Sequence, residues 1–291
     1  MNTDQLMRAA LELVGFEVVP EDSAIYVAGD GIERVLFGLD IGVGELLMAH
    51  HLGYDCVIAH HPVGLPHRAW RVFERHVGLM VQAGVPEEAA RKAVEPKMEA
   101  LRLRGQACNY EQVPLAARRL GLPFMSIHCP LDEMGRRVMQ TAVDEALAAD
   151  PKATLGDLVD ALAGLPAAKR AETEVTVPVG DRAAPAGKTV VAHGALTNGG
   201  YHVARAYFEH GVDTVVYIHV SPEDVRRLRE HGEGQLVVTG HVVGDAFGIA
   251  PYVDALRTQG LEIDVLSHVL ARHGAGIGED WGRGGGGDRL M

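Results

Sequence analysis

The sequence lacks any apolar run near the ~20 residues that a membrane-spanning helix needs. Its opening stretch, "MNTDQLMRAALELVGFEVVP", is amphipathic and contains acids, without the pattern of a secretory leader. Cysteine is scarce. Cys56, Cys108 and Cys129 share no C-x-x-C spacing and, being three, cannot all pair, which points to a reducing compartment. A basic excess is missing too: the formal charge of −12 argues against a nucleic-acid-binding surface. There is no P-loop, and the glycines of "LTNGGYHVAR" ahead of a helix N-terminus offer an anion only a weak site. Together these absences predict a soluble, cytoplasmic protein with no membrane partner.

What is present is ordinary in bulk and unusual in detail. With 291 residues, 47% hydrophobic and 23% charged, the chain can build one large or two ordinary domains, each with its own core. Its 15 histidines are more than such a composition needs, and they cluster in short stretches.

The order of elements predicts an α/β protein of two similar halves with mainly parallel central sheets. "RVLFGLD" reads as a strand, "VGELLMAHHLG" as a helix closed by a glycine, and "DCVIAH" as a second strand, a β–α–β unit whose strands must run parallel. Residues 66–119 turn charged, Ala-rich and helical, with Pro96 expected to kink or break the run. "LPFMSIH" is a further strand. In the second half "KTVVAHG", "GGYHVARAYFEHG" and "VDTVVYIHV" repeat the strand–helix–strand pattern, followed by a helix capped by Ser221, the strand "QLVVTGH", a helix in "DAFGIAPYVDALRTQG" and a last strand "EIDVLS". Aligning "GYDCVIAHH" with "GVDTVVYIH" brings glycine, aspartate, valine and the final histidine into coincidence. The chain is therefore divided into a first half, 1–165, carrying a helical insertion at 66–119; a second half, 166–270; and a Gly-rich flexible tail, 271–291.

Three predicted strands end in metal-competent residues: His60 and His61, then His128 with Asp132, then His241 with Asp245. Functional groups gather beyond the carboxyl ends of parallel strands, where loops present side chains that the sheet positions. Each pair has a plain reading. Two histidines at a strand exit can be a surface feature. Asp132 can be the N-cap of the next helix, with Pro130 keeping "HCPLD" an extended loop. If a helix begins at His241, Asp245 lies one turn on and on the same face. Taken together they form a mixed nitrogen and oxygen donor set suited to zinc, iron, manganese or cobalt, with enough donors for two divalent ions. His128 is open as a ligand, a supporting group or a proton shuttle, and the internal alignment makes His219 a further candidate.

At these residues the chain resembles the NIF-three-like family, also described as GTP cyclohydrolase I type 2 homologues. The resemblance rests on "VLFGLD" followed by "GYDCVIAHHP", on "SIHCPLD" and on "VVTGHVVGD", in the right order over most of the chain. It implies two α/β halves around a dinuclear metal centre, with ligands at His60, His61, Asp132, His241 and Asp245, and assembly into a hexameric toroid. The chain departs from the family pattern at Asp245, usually a glutamate, in the long 66–119 insertion, and at "YIHVSPED". The implied activity is metal-dependent hydrolysis of a nucleotide or phosphoester, a bridging hydroxide serving as nucleophile. His128 and Glu133 are the candidate catalytic proton donors, and His67 a distant third. The alternative is a non-catalytic metal carrier, regulator or protein-interaction module.

Overall fold

The computed structural model describes residues 1–270, so the tail expected at 271–291 lies outside the described residues. Helix α1 (Thr3–Val14) leads to strand β1 (Ala24–Val27), then β2 (Arg34–Gly38), α2 (Val43–His51) and β3 (Cys56–Ala59). The insertion supplies α3 (Pro66–Ala69), a 3₁₀ turn (Trp70–Glu74), α4 (Arg75–Gln82), α5 (Glu87–Ala107) and α6 (Gln112–Leu120). Then come β4 (Phe124–Ser126), α7 (Cys129–Ala149), α8 (Leu155–Ala163) and β5 (Thr176–Val179). The second half continues with β6 (Thr189–Val191), α9 (Gly200–Glu209), β7 (Thr214–Tyr217), α10 (Pro222–His231), β8 (Gln235–Val238), α11 (His241–Thr258) and β9 (Glu262–Val265).

The first sheet has the order β1-β4-β3-β2-β9 and the second β5-β8-β7-β6. Without β9 the two orders are the same, and in each the first strand runs antiparallel to its neighbour while the others are parallel. The internal alignment has a structural reason. Gly53 and Gly211 follow α2 and α9 with φ of 74° and 82°, a left-handed conformation that glycine adopts without penalty. Asp55 and Asp213 then do one job in both halves. Asp55 Oδ2 accepts the Arg34 N–H at 2.7 Å, and Asp213 Oδ2 accepts the Lys188 N–H at 2.7 Å, tying down the start of the adjacent strand each time.

Side-chain alternation along the strands sets the layers. Val35, Phe37 and Ile58 of the first sheet share one core with Val216 and Val237 of the second, filled by residues of α1, α7, α8 and α11. Leu36, Val57 and Phe124 point the other way, towards α2 and α6. On the outer side of the second sheet, Val215 and Leu236 meet α9 together with Phe73, Met80 and Val94 of the insertion. The insertion thus leaves the first half and covers the second.

Two expectations are corrected. Pro96 does not break its helix: α5 runs through it, because Pro96 is exposed while Ala90, Ala93 and Val94 are buried, so tertiary packing offsets the lost hydrogen bond. Pro130 does not keep its segment extended. It sits in the first turn of α7, where its missing N–H would have had no partner, and Asp132 lies in that turn rather than at the N-cap, a position held by His128. Strand β9, from the segment divided off as the second half, pairs with β2 in the first sheet.

Helices α7 and α11 each follow the fourth strand of their half, and they pack against each other in the shared core. Their approach requires glycine. A Cβ on Gly248 would run into the Leu131 carbonyl oxygen, and one on Gly135 would meet the Gly244 carbonyl at 2.9 Å. Gly248→Ala is therefore expected to lose about 3 kcal/mol in denaturant unfolding. Gly78→Ala, on an exposed helical site with nothing within 4 Å, should gain up to about 1 kcal/mol.

Candidate metal centre

His60 and His61 leave β3 still in the sheet's ladder, their N–H groups donating to Gly38 O at 2.8 Å and Leu39 O at 2.9 Å. Asp132 stands in the first turn of α7, and in α11 His241 opens the helix with Asp245 one turn on along the same face. Because α7 and α11 lie side by side, these turns converge on the end of β3. All five predicted ligand positions meet at one point. Three overlapping groups there could hold a metal ion: His60, His61 and His128; His61, His241 and Asp245; and His60, Asp132 and Asp245.

Second nitrogens fix the rings. His60 Nδ1–H donates to Ile127 O at 3.1 Å, His61 Nδ1–H to Asp40 Oδ1 at 2.8 Å, and His128 Nδ1–H to Asp22 Oδ2 at 2.8 Å. Each bond selects the tautomer whose Nε2 carries the free lone pair, the arrangement that metal-ligating histidines use. The Asp245 carboxylate faces two ways: Oδ2 lies 3.4 Å from both His61 Nε2 and His241 Nε2, while Oδ1 lies 3.7 Å from His60 Nε2. His60 Nε2 approaches Asp132 Oδ1 at 3.2 Å. None of these approaches is a hydrogen bond. His60 Nε2, His61 Nε2, Asp132 Oδ1 and Asp245 Oδ2 are buried without hydrogen-bond partners, all directed at the same small space. Buried polar atoms rarely stay unsatisfied, and a cation would satisfy these four together.

The local field favours positive charge. Burial opposes protonation of His60, yet Asp245 and Asp132 outweigh it and raise its pKa to about 10. Burial would also keep Asp132 and Asp245 neutral, but imidazoles, His128 foremost for Asp132 and His60 for Asp245, hold both carboxyls well below the usual carboxylate range. The site is closed on the His60 and Asp132 side and open on the other: the side chain of His241 is 48% exposed and that of His61 21%.

Sequence reasoning overlooked three contributors. His193 follows β6 and brings a buried Nε2 to 3.5 Å from Asp132 Oδ1. The strand-end rule that found His60 and His61 applies equally to "KTVVAHG" and would have found it. Asp22 precedes β1, where no strand-end signal exists, and Asp40 was visible only as the last residue of "VLFGLD". His219, the weaker candidate, stays outside the three groups, though its ring lies 4.7 Å from that of His241 and its Nδ1 meets Asn198 Nδ2 at 2.8 Å.

Glu133 does not suit the proposed proton donor. Its carboxylate is gripped by Arg136 through two bonds of 2.8 Å, by Arg137 at 2.9 Å and by Arg75 at 3.3 Å. Burial pushes its pKa up, but the Arg136 bonds and the other guanidiniums outweigh that and hold it below the ordinary value, so it stays ionised. His67 packs on Tyr110 and joins none of the three groups.

Fold and site define an α/β protein of two similar halves enclosing a buried histidine–aspartate cluster. No family model matches the chain, and no curated protein does. Among solved structures, an NIF3 superfamily protein from Sphaerobacter thermophilus is 47% identical, with a TM-score of 0.90 over 92% of this chain and 98% of its own. The chain belongs to the NIF3 superfamily. The fold alone is shared more widely: reduced HcgD from Methanocaldococcus jannaschii superposes with a TM-score of 0.56 at 14% identity, over 92% of this chain and 98% of its own. The hypothetical protein SA1388 of Staphylococcus aureus gives 0.52 at 14%, over 91% and 96%.

The Glu133 clamp has a measurable signature. Glu133→Gln should cost about 2 kcal/mol at neutral pH, discounted because Arg75 and Arg137 are partly exposed. A carboxylate with a depressed pKa stabilises above its unfolded value, about 4.3, and loses that contribution as pH falls through its folded value. The difference in unfolding free energy between parent and variant should therefore shrink below about pH 4.

Proposed function

We propose that the cluster binds two divalent metal ions and that the bound pair serves a hydrolytic reaction. The observation that carries this reading is the set of four buried, unpartnered nitrogen and oxygen atoms directed at one space. The grouping supports two ion positions: His61 and His241 on the exposed side, His60 and Asp132 on the buried side, with Asp245 common to both. Imidazole and carboxylate donors without thiolate suit zinc, iron, manganese or cobalt; Cys56 and Cys129 are buried but belong to none of the groups.

Metal ions, when bound, would lower the pKa of water and polarise a carbonyl or phosphoryl oxygen. The protein's own part is positioning. Asp40 and Asp22 orient His61 and His128; the end of β3 and the start of α7 hold His60 and Asp132 away from solvent; the half-exposed His241 leaves a path for substrate. His128 is the candidate that remains for proton transfer. Burial works against its charged form, but Asp132 and Asp22 raise its pKa above the ordinary value, which suits a donor near neutrality. Assembly into a homo-oligomer belongs to the same reading, with the hexameric toroid implied by the resemblance and a mass of six protomers expected in light scattering.

Metal analysis of protein purified without chelators tests the centre. The parent should hold close to two equivalents, His60→Ala and Asp245→Ala at most one, and Asp40→Asn should weaken affinity by about 10–100-fold while leaving the fold intact. Metal content near zero in the parent would overturn the reading. Turnover of GTP or of a small phosphoester should appear with added metal and vanish with chelator. Full metal content without turnover on any of them would favour the carrier alternative.

A further inference from the structure

Beside the metal centre lies a cavity of about 260 Å³ that the mechanism above does not use. Its floor comes from one face of α5: Lys97, Leu101 and Arg104, at spacings of four and three residues. Trp70 forms one wall, and the turn Leu196–Thr197 the other. Among the described residues, no acidic one lines it. In a chain of formal charge −12 this is unusual. Arg91 on α5 pairs with Glu87 and Glu74 and Arg102 with Glu99, whereas Lys97 and Arg104, like Lys92 outside the cavity, form no ion pair among the described residues.

Two short paths lead from the cavity lining to the histidine–aspartate cluster. Pro62, which directly follows His61, is part of its lining. Thr197 O accepts from the buried His76 Nε2–H at 2.9 Å, and the next residue, Asn198, contacts His219, whose ring lies against His241. Leu196 at the cavity wall has φ of 72°, the only non-glycine residue in the left-handed region among the described residues. A leucine held there is strained, and such strain persists only where the surroundings enforce it, commonly at ligand sites. Here the enforcing contacts are the His76 bond and the Arg75 Nε–H donated to Gly194 O at 2.8 Å.

We propose that this cavity is the anion subsite of the substrate: Lys97 and Arg104 receive the phosphate of a small organic phosphate, its body lies along Trp70 and Leu101, and its reacting part extends towards His61 and His241. The last clause rests on the metal-centre reading; the anion site itself does not. Two unpaired cations match a dianion, a guanidinium giving phosphate the better-directed bonds. The volume falls below the roughly 300–1,000 Å³ of pockets that enclose drug-sized ligands, so the cavity selects a small phosphate over a nucleoside triphosphate.

Titration calorimetry with phenyl phosphate and with phenol, at fixed ionic strength, tests the assignment on chelator-treated and on metal-loaded full-length protein. Phenyl phosphate should bind both forms and phenol should bind at least tenfold more weakly. The double variant Lys97→Ala/Arg104→Ala should lose at least tenfold in affinity for phenyl phosphate with metal content unchanged. Lys97→Arg should keep most of the affinity, and Arg91→Ala, with its paired cation on the same helix, should match the parent. Equal binding by parent and double variant overturns the subsite. If that binding also requires loaded metal, the anion sits on the ions, and the metal-centre reading stands while this one falls. Conversely, a parent without metal whose phenyl phosphate binding still depends on Lys97 and Arg104 would remove the metal centre and leave the anion site.

Discussion

The constraint on which the rest depends is the burial of two carboxylates, Asp132 and Asp245, where the two halves of the protein meet. Each is only 1–2% exposed, and among the described residues neither has a guanidinium or ammonium partner. Their charge is balanced only by imidazoles, which leave several donor and acceptor atoms unpaired. Burying charge on these terms is costly unless something else provides the missing interactions. The contrast with Glu133 is instructive. One residue further along α7, an equally buried carboxylate is fully engaged by three arginines and is thereby a structural element. The neighbouring aspartate is left open to a cation.

The architecture delivers these carboxylates through repetition. Both halves use the same four-strand order, and both end it with a strand that runs into a long central helix. The N-terminal ends of those helices carry His-x-x-x-Asp, His128 with Asp132 across the start of α7 and His241 with Asp245 inside α11, and both pairs meet about the end of β3. Their close approach depends on glycines in the helix–helix seam, where the backbone of one helix touches the other without an intervening side chain. Packing in the shared core therefore governs the geometry of the polar centre.

The insertion, 66–119, adds elements outside the repeated pattern. Its helices span from the first half to the outer side of the second sheet, and one face of α5 carries Lys97 and Arg104 beside the Leu196 turn. The histidine–aspartate cluster comes from the repeated core, and the cationic cavity lining comes largely from the insertion. The repeated core can keep its cluster while an inserted segment adjusts what reaches it.

Much of this was legible in the sequence. Period-two and helical patterns located the strands and most helices, and the G-x-D match between halves marked turns that glycine and aspartate build in the same way each time. Strand-end histidines pointed to His60, His61, His128 and His241 because parallel sheets gather side chains at one edge. Local sequence could not show that α5 continues through Pro96, that Pro130 opens a helix, or that β9 returns to the first sheet. Those outcomes are set by packing partners distant in the chain. Nor could it separate Asp132 from Glu133, adjacent residues of similar chemistry. Sequence alone determined the kinds of donor and their placement at element ends, since these follow from local pattern; only the tertiary structure decided which of them share a focus, because that depends on how two distant helices pack.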